Sequence, residues 1–257
     1  MTRNICVLLA LCSCVAAAPV GAQENAAWPE RAFVTIDVPF QALNNDFSDS
    51  LTVADSVRRS ENVNFLMEYP SSQGVLFDLG AGVRLTSNLG IGITASWSER
   101  SSSGSFDLAL PNPFFANSPL ELAGSIPDLN RREMGFHFHA LYAHSLGRRV
   151  RVMASGGPSI FNTRQDVVRG VEVDILPGFR ALSFDQAMIT RDEQTTLGFN
   201  VGADLTWAFA RHFGIGTVTR YSRANITWKP VSESGISRSI RTQAGGLHIG
   251  AGVRLLF

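Results

Sequence analysis

Cysteine is confined to the start of the chain: Cys6, Cys12 and Cys14 are its three cysteines. Everything after residue 14 therefore lacks disulfides, thiolate metal sites and thiol nucleophiles, and must be held by packing or backbone pairing. Lysine is scarcer still, with Lys229 the only one. No excess of either charge exists, 22 Lys+Arg against 22 Asp+Glu, which argues against a nucleic-acid partner. Beyond residue 22 no run of about 18 apolar residues occurs, so helical membrane spans are excluded. The long amphipathic helical stripes of a soluble helical core are missing too.

The first 22 residues, MTRNICVLLALCSCVAAAPVGA, read as an address. Arg3 precedes an apolar run from Ile5 to Ala18, and Val20-Gly21-Ala22 form a small-residue exit. That is the order of a secretory signal peptide, and its apolar run is too short to span a bilayer. Cleavage is expected after Ala22, with 23–31 as a short N-terminal periplasmic segment. Lipidation at Cys14 is disfavoured, because Cys12 and Ser13 make a poor lipobox.

What remains is dominated by period two. The hexapeptide GAGVRL occurs at 80–85 and again at 250–255. Around the second copy Ile249, Ala251, Val253, Leu255 and Phe257 alternate with His248, Gly250, Gly252 and Arg254. Around the first, Phe77, Leu79, Ala81, Val83 and Leu85 alternate with Asp78, Gly80, Gly82 and Arg84. Residues 199–207 repeat the scheme. Successive side chains of a strand point to opposite faces, so each segment has one apolar face and one small or charged face. GAGVRL lacks dinucleotide-fingerprint spacing, and no helix follows either copy.

Three hairpin units share this grammar: 76–98, 134–159 and 198–222. Their turns fall at Ser87-Asn88, Leu146-Gly147-Arg148-Arg149 and Ala210-Arg211-His212. With AFVTIDVPFQ (32–41) and the last strand, the count is eight, or ten if the long connections add hairpins. Those connections, about 43–73, 101–131, 165–194 and 229–241, are polar and alternate strictly with the tight turns. Structureless loops this long are uncommon in a compact soluble domain, whereas outer-membrane barrels combine short periplasmic turns with long external loops.

On these residues the segment 32–257 resembles the small bacterial outer-membrane β-barrels of the OmpA/OmpX/opacity type. The resemblance implies an all-β fold: an eight-stranded, antiparallel, up-and-down transmembrane barrel in the cell outer membrane. It further implies that Ala251, Val253, Leu255 and the closing Phe257 form the C-terminal signal read by the barrel assembly machinery. Outer-membrane lipid and lipopolysaccharide would surround a barrel expected to be monomeric. Unlike in full-length OmpA-type proteins, no peptidoglycan-binding domain is expected after the barrel, and with it no anchoring to the cell wall. Aromatics such as Trp97, Tyr142, Trp207, Phe213, Tyr221 and Phe257 fall near strand ends, as interface girdles require. The alternative is a soluble periplasmic β-sandwich or lipocalin-like barrel, with the apolar face inward.

With the apolar face toward lipid, the lumen receives Asp37, Asp78, Arg84, His137, His139, Arg151, Asp204, Arg220 and Arg254. Such charges in a small interior are expected to pair, because an unpaired buried charge is costly. An eight-stranded barrel is only wide enough for its side chains to fill, so a plugged lumen is expected over a small or gated channel. His137 and His139 share a face and could offer two metal ligands, but a third is not evident, and no metal or cofactor is expected. A lipid-modifying enzyme would need a Ser–His pair on one surface. His144 and Ser145 are adjacent and so point apart, and no Gly-x-Ser-x-Gly elbow is present. No catalytic residue is assigned. A specific role then falls to the outer loops 101–131 and 165–194, through which an extracellular ligand or surface would be met. In PNPFFANSPL, Phe114 and Phe115 either offer a hydrophobic contact or fold back over the barrel mouth.

Overall fold

The structure, a computed structural model, describes residues 29–42, 46–54, 62–70, 74–112, 114–115, 118–178, 181–228 and 239–257. The leader at 1–22 and residues 23–28 lie outside the described residues. Ten strands follow in order: β1 Ala32–Gln41, β2 Phe47–Ala54, β3 Asn62–Tyr69, β4 Phe77–Arg84, β5 Leu89–Leu110, β6 Leu120–Leu146, β7 Val150–Ile175, β8 Leu182–Ala208, β9 Phe213–Trp228 and β10 Ile240–Leu256.

Eight of them close a ring. β1 pairs with β4 on one side and with β10 on the other, and β4 through β10 pair in sequence, all antiparallel. β2 and β3 form an added hairpin outside this ring. β3 pairs with the far half of β5, Asn64 opposite Ala109 through Glu68 opposite Ser105. Both expected counts are therefore present, eight strands in the ring and ten in the sheet.

The alternating segments build the wall as the period-two reading requires. Leu79, Leu205 and Val253 are about half exposed on the outside, while Asp78, Asn200 and Arg254 are buried within. Two exposed aromatic rows bound this apolar belt. Phe40, Phe77, Trp97, Phe136 and Phe199 mark the outer edge, and Tyr142, Trp207, Phe213 and Phe257 mark the periplasmic edge. A soluble protein does not expose an apolar surface that runs around its whole girth. The soluble alternative, with the apolar face inward, is thereby overturned. In hydrocarbon the closed ring also pairs every strand edge, the condition for spanning.

The sequence reading needs correction above the outer edge. The excursions expected as structureless loops at 101–131 and 165–194 are largely strand. β5 and β7 run on to Leu110 and Ile175, and β6 and β8 begin at Leu120 and Leu182. The expected extension of strands by 179–189 holds from Leu182 onward; Phe179 and Arg180 lie outside the described residues. These ribbons enclose an apolar core of their own, including Phe65, Met67, Phe106, Leu129, Val168 and Leu182. Beside it lies a second cluster with Val167, Ile226, Trp228 and Ile240.

Candidate functional site

The ring's interior is layered. At the periplasmic end Phe33, Leu141, Ala143, Met153 and Leu256 form an apolar floor. Above it lie two ion-pair groups. Arg254, 1% exposed, donates from Nη1 to Asp37 Oδ1 at 2.6 Å and from Nη2 to Asp204 Oδ2. Asp204 Oδ1 also accepts from Thr206 Oγ1 at 2.6 Å. Arg220 donates from Nη2 to Asp78 Oδ2 at 2.7 Å and to Ser96 Oγ at 2.9 Å. His248 Nδ1 lies 3.5 Å from the same nitrogen. Asp37, Asp78, Asp204, Arg220, Thr94 and His139 line a cavity of about 50 Å³. That is room for a few waters and no larger solute.

The imidazoles expected in the lumen are there, engaged with hydroxyls. His137 Nδ1 meets Ser159 Oγ at 2.8 Å and His139 Nε2 meets Thr94 Oγ1 at 3.0 Å. Among the described residues no group of three or more His, Cys, Asp or Glu is arranged to hold a metal ion. Arg151 is buried but turns to the periplasmic end, where its Nη1 pairs with Glu30 Oε2 and its guanidinium lies 5.5 Å from the Phe33 ring centroid. Arg84 is half-buried at the end of β4, and its backbone N–H donates to Arg31 O at 2.9 Å. The structure therefore brings together seven of the nine expected lumen residues and sets Arg84 and Arg151 at the periplasmic rim.

Sequence reasoning missed a third layer at the outer end. Arg131 Nη2 donates across the barrel to Gln243 O at 2.6 Å, and its Nε to Glu133 Oε1 at 2.7 Å. Gly245 N donates to Glu133 Oε2 at 3.2 Å. Arg100 Nη2 donates to Gln41 Oε1, whose amide in turn donates to Gly245 O at 3.2 Å. Gly245 sits at φ 85°, and a Cβ there would lie 2.5 Å from Ser222 O, so a bend only glycine tolerates aims these backbone groups inward.

The β6–β7 ladder is interrupted within the lipid belt. β6 and β7 pair at His137–Ser159 and again at Ala140–Gly156, but not between. Pro158 has no N–H to give Phe138 O, the loss a proline imposes on any ladder. Asn200 on β8, 3% exposed, supplies it. Its Nδ2 lies 3.3 Å from Phe138 O, 3.0 Å from Gly157 O, 3.2 Å from Pro158 O and 2.9 Å from Ser159 Oγ. Asn200 was not among the expected lumen residues, and only the register could reveal its task.

Outside the membrane the β5–β6 tip carries the other candidate. Phe114 and Phe115 are 66% and 64% exposed, so they do not fold back over the mouth. Asn112, 5% exposed, accepts both their backbone N–H groups on Oδ1, at 3.0 and 3.2 Å. That Asx turn fixes the backbone and presents the rings outward. His144 is exposed and Ser145 is buried, on opposite faces as expected. Ala251 and Val253 face outward on β10, Leu255 is half-buried there, and Phe257, just past the strand, is exposed.

No family model matches this chain, and no curated protein matches it. Solved structures do. Neisserial surface protein A matches at 15% identity and TM-score 0.41, over 88% of this chain and 97% of that one. The outer membrane protein OprG from Pseudomonas aeruginosa matches at 10% identity and TM-score 0.47, over 91% and 99%. The outer membrane protease OmpT from Escherichia coli matches at 7% identity and TM-score 0.43, over 92% and 100%. These neighbours are outer-membrane barrels of differing roles, and the fold described above is that of a small bacterial outer-membrane barrel.

Proposed function

We propose that this protein is a non-conducting outer-membrane barrel that serves surface contact, with Phe114 and Phe115 as its contact point. The observation that carries the reading is the pair of exposed rings held on the buried Asn112 at a ribbon tip. From Trp97 to Leu110 the strand lifts that tip by up to about 40 Å of extended chain. Exposed aromatics cost solubility and are maintained where they meet a partner. The partner they fit is an apolar surface, since neither ring brings a charge or a hydrogen bond.

The closed interior supports the structural half of the reading. An apolar floor, two ion-pair groups, the Arg131–Glu133 crossbar and the extracellular apolar core follow one another along the axis, and the cavity beside the ion pairs measures about 50 Å³. Lipid and lipopolysaccharide would contact the outward belt, and the outward row on β10 would be read during assembly.

Two measurements test this. In planar bilayers the purified barrel should give no discrete conductance steps; steady channels would replace this reading with the porin-like one. Binding of proteoliposomes to an alkyl-coated surface should fall on Phe114→Ser/Phe115→Ser. Burying each ring is worth about 1.5–3 kcal/mol, so the affinity loss should exceed tenfold. Unchanged binding by a variant that still migrates as a folded barrel would refute the assignment.

A further inference from the structure

At the periplasmic edge the β6–β7 and β8–β9 turns come together. Ala208 N donates to Arg149 O at 2.7 Å, and His212 Nδ1 lies 2.9 Å from Leu256 O. Leu256 N donates to His212 O at 2.9 Å, so the β6–β7 turn is tied to the end of β8 and the β8–β9 turn to β10. Between them lies a cavity of about 500 Å³, lined by Arg148, Arg149, Arg211, Phe209, Phe257 and Glu30 among others.

Its charged side chains are mostly cationic. Glu30 is the only acidic side chain in the lining, and it is engaged by Arg151. Arg148, Arg149 and Arg211 are exposed. Among the described residues none of the three forms an ion pair. Phe209 and Phe257 are 51% and 62% exposed and belong to the aromatic edge of the lipid belt. The pocket thus stands at the head-group level of the inner leaflet, with cationic and apolar side chains in one lining.

We propose that this pocket binds the phosphate of an anionic inner-leaflet phospholipid, with the acyl chains lying along Phe209, Phe257 and Trp207. Guanidinium pairs bind phosphate oxygens through parallel N–H donors. The aromatic rim favours a lipid-borne phosphate over a soluble one or an acidic peptide, because it has acyl chain to cover.

The test uses the full chain refolded into phosphatidylcholine vesicles containing brominated phosphatidylglycerol, compared with brominated phosphatidylcholine. Quenching is read at Trp207 in a Trp28→Phe/Trp97→Phe background, where the remaining tryptophan, Trp228, is buried in the extracellular core away from lipid. Membrane-proximal arginines contribute about 1 kcal/mol each toward anionic lipid, or roughly fivefold. Phosphatidylglycerol should therefore be preferred by at least about fivefold. Arg148→Gln/Arg149→Gln/Arg211→Gln should remove the preference, and the corresponding triple lysine variant should keep it. Should the glutamine variant not fold, salt decides: the wild-type preference should weaken as ionic strength rises. No wild-type preference, a preference that survives the glutamine variant, or one indifferent to salt would overturn the proposal. So would a preference abolished by inorganic phosphate but not by chloride at equal ionic strength, which would make the ligand a soluble anion.

Discussion

Asn200 offers the sharpest test of how this wall is held. Pro158 leaves Phe138 O without its ladder donor, and the Asn200 amide stands within 3.3 Å of it. One NH₂ group has two hydrogens, so of its four neighbouring acceptors it serves two well at any moment. Removing it in Asn200→Ala orphans about two acceptors in a region where lipid supplies no donor. At about 1–3 kcal/mol for each buried acceptor left unmade, the barrel should lose about 2–6 kcal/mol. Pro158→Ala restores a backbone N–H opposite Phe138 O, so in that background the same deletion should cost less. The coupling expected for groups sharing one acceptor is about 1–3 kcal/mol. Urea unfolding of the refolded barrel in lipid vesicles, on all four corners of the cycle, measures it at constant m-value. If Asn200→Ala costs equally in both backgrounds, to within about 0.5 kcal/mol, the amide is not replacing the proline's missing donor.

The other expectations are shorter. Arg254→Met strands Asp37 and Asp204 in the lumen and should cost about 3–5 kcal/mol, the range for breaking a buried pair from one side. Adding Asp37→Asn and Asp204→Asn should return most of that loss, and failure to do so would mean Arg254 acts by packing. On the extracellular ribbon, burial pushes the Asp166 carboxyl up, but Arg191 and Asn130 outweigh it and hold the group below its usual range. A depressed folded value means stabilisation that is present above about pH 4 and lost as pH falls through the folded value. Proteolysis of the β7–β8 ribbon should therefore quicken below about pH 4, with Asp166→Asn giving a flat profile. Leu255→Ser/Phe257→Ser should lower the yield of heat-modifiable barrel in outer membranes, measured on boiled and unboiled gels; full yield would separate β10's outward row from assembly.

Much of this molecule was legible from parity alone. Once Val253 and Leu79 were placed outward, Asp37, Asp78, Asp204, Arg220 and Arg254 had to point in, and the charges had to meet. Parity says nothing of height along the axis, so it could not show that Arg151 and Arg84 belong to the rim. Nor could it show that Asn200 stands opposite Pro158, because that depends on strand register and shear. Arg100, Arg131 and Glu133 were hidden for a different reason: they lie where the stretch 101–131 begins and ends, and its serines read as loop.

Those serines mark the place where the solvent changes. Along β5 the outward row runs Ile91, Ile93, Ala95 and Trp97, then Glu99, Ser101, Ser103, Ser105 and Asp107. The inward row runs Ser96, Ser98 and Arg100, then Phe106 and Leu108, both buried. The strand never breaks its period; the two faces exchange polarity as the outside passes from lipid to water. On β9 the same exchange occurs after Tyr221, with Arg223 outward and Ala224, Ile226 and Trp228 buried. Near the crossing both faces are polar, and a search for one apolar face loses the strand there. The exchange also explains the closed interior. Inside the membrane slab the outward face is already apolar, so the lumen is free to hold ion pairs that fix register. Above it the ribbons face water and must bury their own apolar row inward, which places a dry core directly over the charged lumen. A single substitution of polarity at this boundary tests the logic: Phe106→Asp should destabilise the ribbons by burying an unpaired charge. Ser105→Lys, one residue away on the watered face and opposite Glu68, should cost almost nothing. Equal costs at the two positions would mean the faces do not exchange.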